Sequence, residues 1–292
     1  MKQASTIDVL LLILLGAIWG SSFFNIKIAT HSYEPFALAT IRVFFATVFM
    51  VIISKIYKAK ILAFGNQWKT YAIVGLCNIA IPFSLIAIGT KRVDSYLAAI
   101  LMSTTPMSGS ILAHFFTDDE KMTFKKSLGI LIGFLGILLL FFDKLVINDS
   151  NILFVLIILL GSTFYCIAGL LILKNLKNAG NLNVTSSTLL WSLIFLIPVT
   201  FIFENPSDSI PTLYSTFSLI YLGVVATGFA WWLRFRILAK NGLVFQTQVA
   251  YLIPIFGVIF GALILKEQIT WKVLLSLIII ITGIFIVKKY NK

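Results

Sequence analysis

Two arginines, Arg234 and Arg236, stand near the end of a long apolar stretch, where the planar donor fork of a guanidinium suits a carboxylate or a phosphate. Residues two apart on a helix point about 200° apart, so at most one of the pair faces a given cavity. Arg234 follows Trp231 by three residues and shares its face, which makes it the better candidate. Four amides, Asn25, Asn78, Gln246 and Gln248, also lie in or at the ends of apolar stretches. An unpaired amide costs free energy in hydrocarbon, so each must meet a helix partner or face water. Asn78 and Gln248 share their stretches with Pro82 and Pro254, prolines that leave a backbone carbonyl without its helical donor. Trp19, Tyr165, Trp231 and Tyr251 are aromatic residues of the same stretches, and their faces can take apolar groups or cations. Each of these side chains also has a plainer use, in anchoring, interhelical hydrogen bonding or packing.

The acidic side chains are informative by position. All eleven fall at the ends of apolar stretches or between them, and the two histidines, His31 and His114, are far apart in sequence. A proton-coupled pump generally keeps an ionisable acid or a histidine within the membrane, so exchange or facilitated diffusion is expected rather than obligatory proton coupling. The same scatter argues against a membrane enzyme. Cys77 and Cys166 both lie inside apolar stretches, so neither a disulfide nor a metal site is expected, and no cofactor is implied. Arg42 lies six residues into its stretch, roughly 9 Å deep at 1.5 Å per residue. It is expected to reach back to the near surface with Glu34 as partner, an anchoring role, and Lys27 is expected to snorkel.

Composition places these residues in a bilayer. The chain is 59% hydrophobic and 12% charged, with a mean hydropathy of +1.01, against roughly 25% charge in soluble domains. The net charge of +12 lies between the apolar runs rather than along one face, so it reads as loop charge and not as a nucleic-acid surface. The spans read as 9–29, 36–57, 68–89, 93–117 and 124–142, then 152–173, 184–203, 212–238, 243–265 and 271–287. The fold class expected is an all-α polytopic membrane protein of ten helices. With the N-terminus in the cytoplasm, sixteen basic residues fall inside and five outside, so both termini are expected to be cytoplasmic. The membrane expected is the inner membrane of a bacterium.

The last part of the first half recurs at the end of the second. Pro106 and Pro254 are 148 residues apart, as are Gly109 and Gly257; Glu120 and Glu267, Thr123 and Thr270, and Gly136 and Gly283 are each 147 apart. Two five-helix units, 1–147 and 148–292, follow, and the odd helix number inverts the second relative to the first. Glu120 is then expected inside and Glu267 outside, both as helix caps. Inverted repeats with matched helix breaks are the pattern of a secondary transporter that alternates access around a central site. Pro106 and Pro254 are expected to be its gating kinks.

The order of these features resembles the drug/metabolite transporter superfamily, and within it the ten-helix EamA-type members. The matching residues are Gly16-Ala17-Ile18-Trp19-Gly20-Ser21-Ser22-Phe23 with Lys27, Pro35 and Arg42; Leu222-Gly223-Val224-Val225-Ala226-Thr227-Gly228; and Tyr251-Leu252-Ile253-Pro254 through Glu267 and Gly283. The resemblance covers essentially the whole chain. It implies two inverted five-helix bundles around a cavity, carrying small organic solutes, commonly amino acids or related metabolites and often outward. Arg234 and Arg236 depart from the family pattern, which has aromatic or apolar residues there, and leave an organic-anion or phosphate-ester exchanger as the alternative. The partners expected are a small-molecule solute and the lipid bilayer, with no nucleic acid; a homodimer is compatible with both.

Overall fold

The structure is a computed structural model that describes residues 5–116, 122–146, 151–176, 178–205 and 210–289. Glu120, one of the two expected caps, lies outside the described residues. The described residues hold no strand and form ten rods in chain order. They are α1 (Thr6–Ala29), α2 (Pro35–Ile56), α3 (Trp68–Arg92), α4 (Ser95–Phe116), α5 (Phe124–Val146), α6 (Asn151–Asn175), α7 (Asn181–Phe203), α8 (213–246), α9 (Val249–Ile264) and α10 (Trp271–Lys289). Seven of the described helices are long and apolar enough to cross a membrane, and Val249–Ile264 and Trp271–Val287 are shorter apolar helices.

Local chemistry sets several of the ends. Ser5 and Asp8 cap α1 reciprocally, and Pro35 opens α2, where its missing N–H is no loss. α2 closes with Lys58 in the left-handed region (φ 52°), Ala59 N–H donating to Ser54 O and Lys58 N–H to Lys55 O. That pair of bonds satisfies two carbonyls at the end of the helix. One expected boundary is displaced. The connection placed at residues 239–242 is helical, and the chain turns instead at Thr247 and Gln248.

Three of the rods are interrupted. α3 widens into a π turn at Leu76–Ala80 and α8 into another at Val224–Phe229, so the two wide turns begin 148 residues apart. α4 breaks at Ser103 and Thr104, whose hydroxyls donate back to Ile100 O and Leu101 O. Pro106 stands just beyond that break, in the first turn of Thr105–Phe116, where a proline forfeits no helical hydrogen bond. Pro254 stands inside the unbroken α9. The two prolines match in sequence, but their backbone settings differ.

Packing runs across the halves. α5 lies on α10, α2 on α7 and α4 on α9; α1 packs on α9 as α6 packs on α4, and α3 packs on α6 as α8 packs on α1. Exchanging each helix with the one five places on returns these same pairings, while the contacts of α1 with α3 and α4 have no equal in the second half among the described residues. The repeated glycines serve this packing. A Cβ on Gly283 would stand 2.6 Å from Gly129 O and 2.6 Å from Gly133 N, so α5 and α10 touch backbone to backbone.

Candidate functional site

The α2 positions Ala39, Arg42, Val43, Ala46 and Met50 are buried and recur at helical spacing, so Arg42 belongs to an inward-facing stripe. Gly223 makes room for it: a Cβ there would lie 2.8 Å from Arg42 O, and its absence lets α8 close on α2. Arg42 is only 8% exposed. Its Nε donates to Thr227 Oγ1 at 3.0 Å, and its guanidinium carbon lies 3.9 Å from the centre of the Phe83 ring. Thr227 belongs to the π turn of α8 and stands fourteen residues into that helix, roughly 20 Å along its axis at about 1.5 Å per residue. Arg42 thus points into the bundle.

The hydroxyl of Thr227 is fitted to this use. It donates to Leu222 O at 2.8 Å, five residues back across the wide turn, which leaves its lone pairs to accept from Arg42. Burying an arginine at mid-membrane costs about 2.5–3.5 kcal/mol on insertion scales. A desolvated cation–π contact returns about 2 kcal/mol, and a hydrogen bond from a charged group about 1.5–3 kcal/mol. The two contacts seen here are of the right size to hold the charge without a carboxylate. Glu34, the expected partner, pairs instead with Lys91 at 2.6 Å. Surface anchoring of Arg42 is therefore corrected. Lys27 donates to Lys91 O and Val93 O, tying α1 to the end of α3.

Around Arg42 the apolar cluster of Val43, Ile79, Ala80 and Phe83 takes Tyr165 and Trp231 at its edge. Asn78 lies on the π turn of α3, is 9% exposed, and its side chain makes no hydrogen bond among the described residues. The structure so brings Tyr165 and Trp231 together with Arg42, Phe83 and Thr227, and places Asn78 on the adjoining wide turn.

The other expected site residues are distributed elsewhere. Trp19 and Tyr251 pack on a second, larger cluster that draws on α1, α3, α4, α6, α8, α9 and α10, and Tyr165 touches this cluster as well. Asn25 donates to Ser21 O at 2.9 Å and lines a groove of about 430 Å³ with Phe24, Tyr221 and Phe260. Gln248 is exposed at the turn before α9. Arg234 is half-buried with its guanidinium 5.9 Å from the Phe235 ring, while Arg236 is exposed beside Trp232. Trp191 donates to Ala63 O and stacks on Trp68, pinning the connection between α2 and α3. A separate cleft of about 710 Å³ opens beside it, lined by Lys60, Tyr71, Lys174 and Asn183.

At the end of the bundle that holds His31, two glutamates of the second half cap helices of the first. Glu204 accepts from the N–H of Phe36 at 2.8 Å and of Ala37 at 2.7 Å. Glu267 accepts from Ser95 N–H at 2.7 Å, Ser95 Oγ at 2.9 Å and Tyr96 N–H at 3.2 Å. Glu267 does cap a helix, but that helix is α4, across the interface. A carboxylate at a helix N-terminus answers both the free N–H groups and the positive end of the dipole. Burial pushes the Glu204 carboxyl above the ordinary glutamate value, while the Phe36 and Ala37 N–H groups pull the other way.

The model of the EamA-like transporter family matches the chain twice, over residues 6–142 and 152–288. The chain belongs to the EamA-like transporter family. The relatives of this EamA-like chain include an uncharacterized transporter of Bacillus subtilis, YoaV, 26% identical over 92% of each chain. Another is a protein of Escherichia coli K12 named as a probable amino-acid metabolite efflux pump, 25% identical over 96% of this chain and 94% of that one. A solved crystal structure has the same fold, with a TM-score of 0.70 at 12% identity and 99% coverage of both chains. The EamA-like chain is a polytopic helical membrane protein and a transporter rather than an enzyme.

Proposed function

We propose that the chain exports a small organic metabolite, an amino acid or a related amphipathic solute, across the cytoplasmic membrane by alternating access. Its halves, 1–147 and 148–292, act as inverted five-helix repeats, and they flex at the break before Pro106 in α4 and at Pro254 within α9. The observation that carries this reading is the pair of π turns 148 residues apart, at Leu76–Ala80 and Val224–Phe229. Irregular backbone at membrane depth is tolerated where it is buried in protein or lines a cavity, and matched breaks in two halves point to the binding region. The neighbour exchange between halves supports the same reading, as does the name of the Escherichia coli relative.

The test is efflux from liposomes holding the purified protein and loaded with labelled amino acids, sugars, organic phosphates or organic cations. Amino acids are expected to leave faster than from protein-free liposomes; movement of sugars or organic phosphates alone would overturn the solute class. The repeat arrangement has its own check. In a background with Cys77 and Cys166 replaced by serine, Gln268→Cys is expected to react with an impermeant thiol reagent in intact cells, and Lys121→Cys only after the cells are opened. Reaction at both in intact cells would remove the inversion.

A further inference from the structure

We infer that Arg42 is the residue that holds the carboxylate of the transported solute. This rests on the transporter reading above and names the chemistry of its site. Arg42 is a buried cation with an incomplete set of partners. Its Nε is committed to Thr227 Oγ1 at 3.0 Å and one face of its plane to the Phe83 ring. The two Nη groups have no protein acceptor among the described residues, and they are not among the buried polar atoms shut off from solvent. Among the described residues no carboxylate lies within ion-pair distance of it.

With Nε occupied, the open edge of the guanidinium is the end-on Nη1/Nη2 pair. Two parallel N–H donors on that edge match the two oxygens of a carboxylate. Thr227 and Phe83 fix the plane before any ligand arrives, so little side-chain freedom remains to be lost on binding. Tyr165 and Trp231, on the same cluster, offer aromatic surface to the apolar part of such a solute. Arg234 has the same charge without this preparation: it is half-buried, it makes no hydrogen bond among the described residues, and its ring neighbour is 5.9 Å away.

The experiment compares acids with their amides. Purified protein is titrated with L-leucine, L-phenylalanine, L-leucinamide, L-phenylalaninamide and inorganic phosphate, following its thermal unfolding, and efflux of the labelled acids is measured in liposomes. The wild type is expected to be stabilised by the acids and not by the amides. Arg42→Gln is expected to weaken acid binding about ten- to a hundredfold, the range for a lost hydrogen bond to a charged group. Arg42→Lys, which keeps the charge without the fork, should recover part of it, and Thr227→Val, which frees Nε, should fall between wild type and Arg42→Gln. Thr227→Val leaves the charge in place and so reports even if Arg42→Gln does not fold. Arg234→Gln is the comparison and should change acid binding less than threefold.

Stabilisation by acids and amides alike, stabilisation by phosphate alone, or loss of acid preference in Arg234→Gln rather than Arg42→Gln would each overturn the assignment. Efflux of the acids that Arg42→Gln leaves intact would overturn it while sparing the transporter reading. Efflux of no solute of any class by the wild type would overturn that reading itself, and the assignment with it.

Discussion

Replacing Gly283 by leucine is expected to pull α10 off α5 and to leave little monodisperse protein. The reason is the absence of room at this crossing. A Cβ on Gly283 meets Gly129 O and Gly133 N at 2.6 Å and Gly133 Cα at 2.8 Å, all backbone atoms with no rotamer to change. Overpacking of a close-packed contact typically costs about 1–3 kcal/mol, and alanine at Gly283 is expected to fall in that range, seen as a lower unfolding midpoint. Leucine adds a branched side chain that the pair can accept only by separating. Gly169→Ala is the matching control, because a Cβ there meets nothing within 4 Å. Equal midpoints for Gly283→Ala, Gly169→Ala and wild type would show that the crossing is looser than described.

The second large effect is expected at the His31 end. Glu267→Gln replaces a carboxylate that accepts from Ser95 N–H, Ser95 Oγ and Tyr96 N–H with an amide that presents one acceptor and an unwanted donor. Hydrogen bonds to charged groups are worth about 1.5–3 kcal/mol each. Losing one shifts an open–closed balance by roughly ten- to a hundredfold. The N-terminus of α4 should then part from α9, and Ala98, fully buried in the structure, should be uncovered. In the background lacking the native cysteines, Ala98→Cys is expected to react with a soluble thiol reagent at least about tenfold faster when Glu267→Gln is present. Glu204→Gln should loosen the start of α2 in the same manner. Labelling rates that ignore both substitutions would mean that the glutamates only finish helix ends and hold nothing shut.

The apolar stretches were readable from residue types alone, because burial in lipid leaves a compositional mark on every stretch; the family was readable only from the order of motifs such as Gly16–Phe23 and Leu222–Gly228. The two π turns left no such mark. Leu76–Ala80 and Val224–Phe229 are as apolar as their flanks, and a wide turn depends on neighbours that a single stretch does not reveal. Arg42 was misplaced for a related reason. Its depth allowed it to reach the near surface, and Glu34 stood in the right place to receive it; that Lys91 would take Glu34 follows only from the tertiary arrangement. Conversely, Arg234 and Arg236 drew notice by departing from the family pattern, whereas Arg42 belongs to that pattern. Glu267 was read correctly as a capping group, but a local rule had no means of assigning it to a helix 172 residues earlier.

The bond between Arg42 and Thr227 also sets a schedule for making the protein. The partners are 185 residues apart, so at synthesis rates of about 5–20 residues per second α2 waits roughly ten to forty seconds for its acceptor. During that interval the newborn first half carries a cation in the bilayer with no hydroxyl to receive it, and the starts of α2 and α4 carry amides whose acceptors, Glu204 and Glu267, are still unwritten. Each half satisfies the family model alone, yet the first cannot settle until the second has been inserted beside it. The two halves are thus expected to reach their final packing only together, and a ribosome stalled between them to leave a substrate for membrane quality control rather than half a carrier.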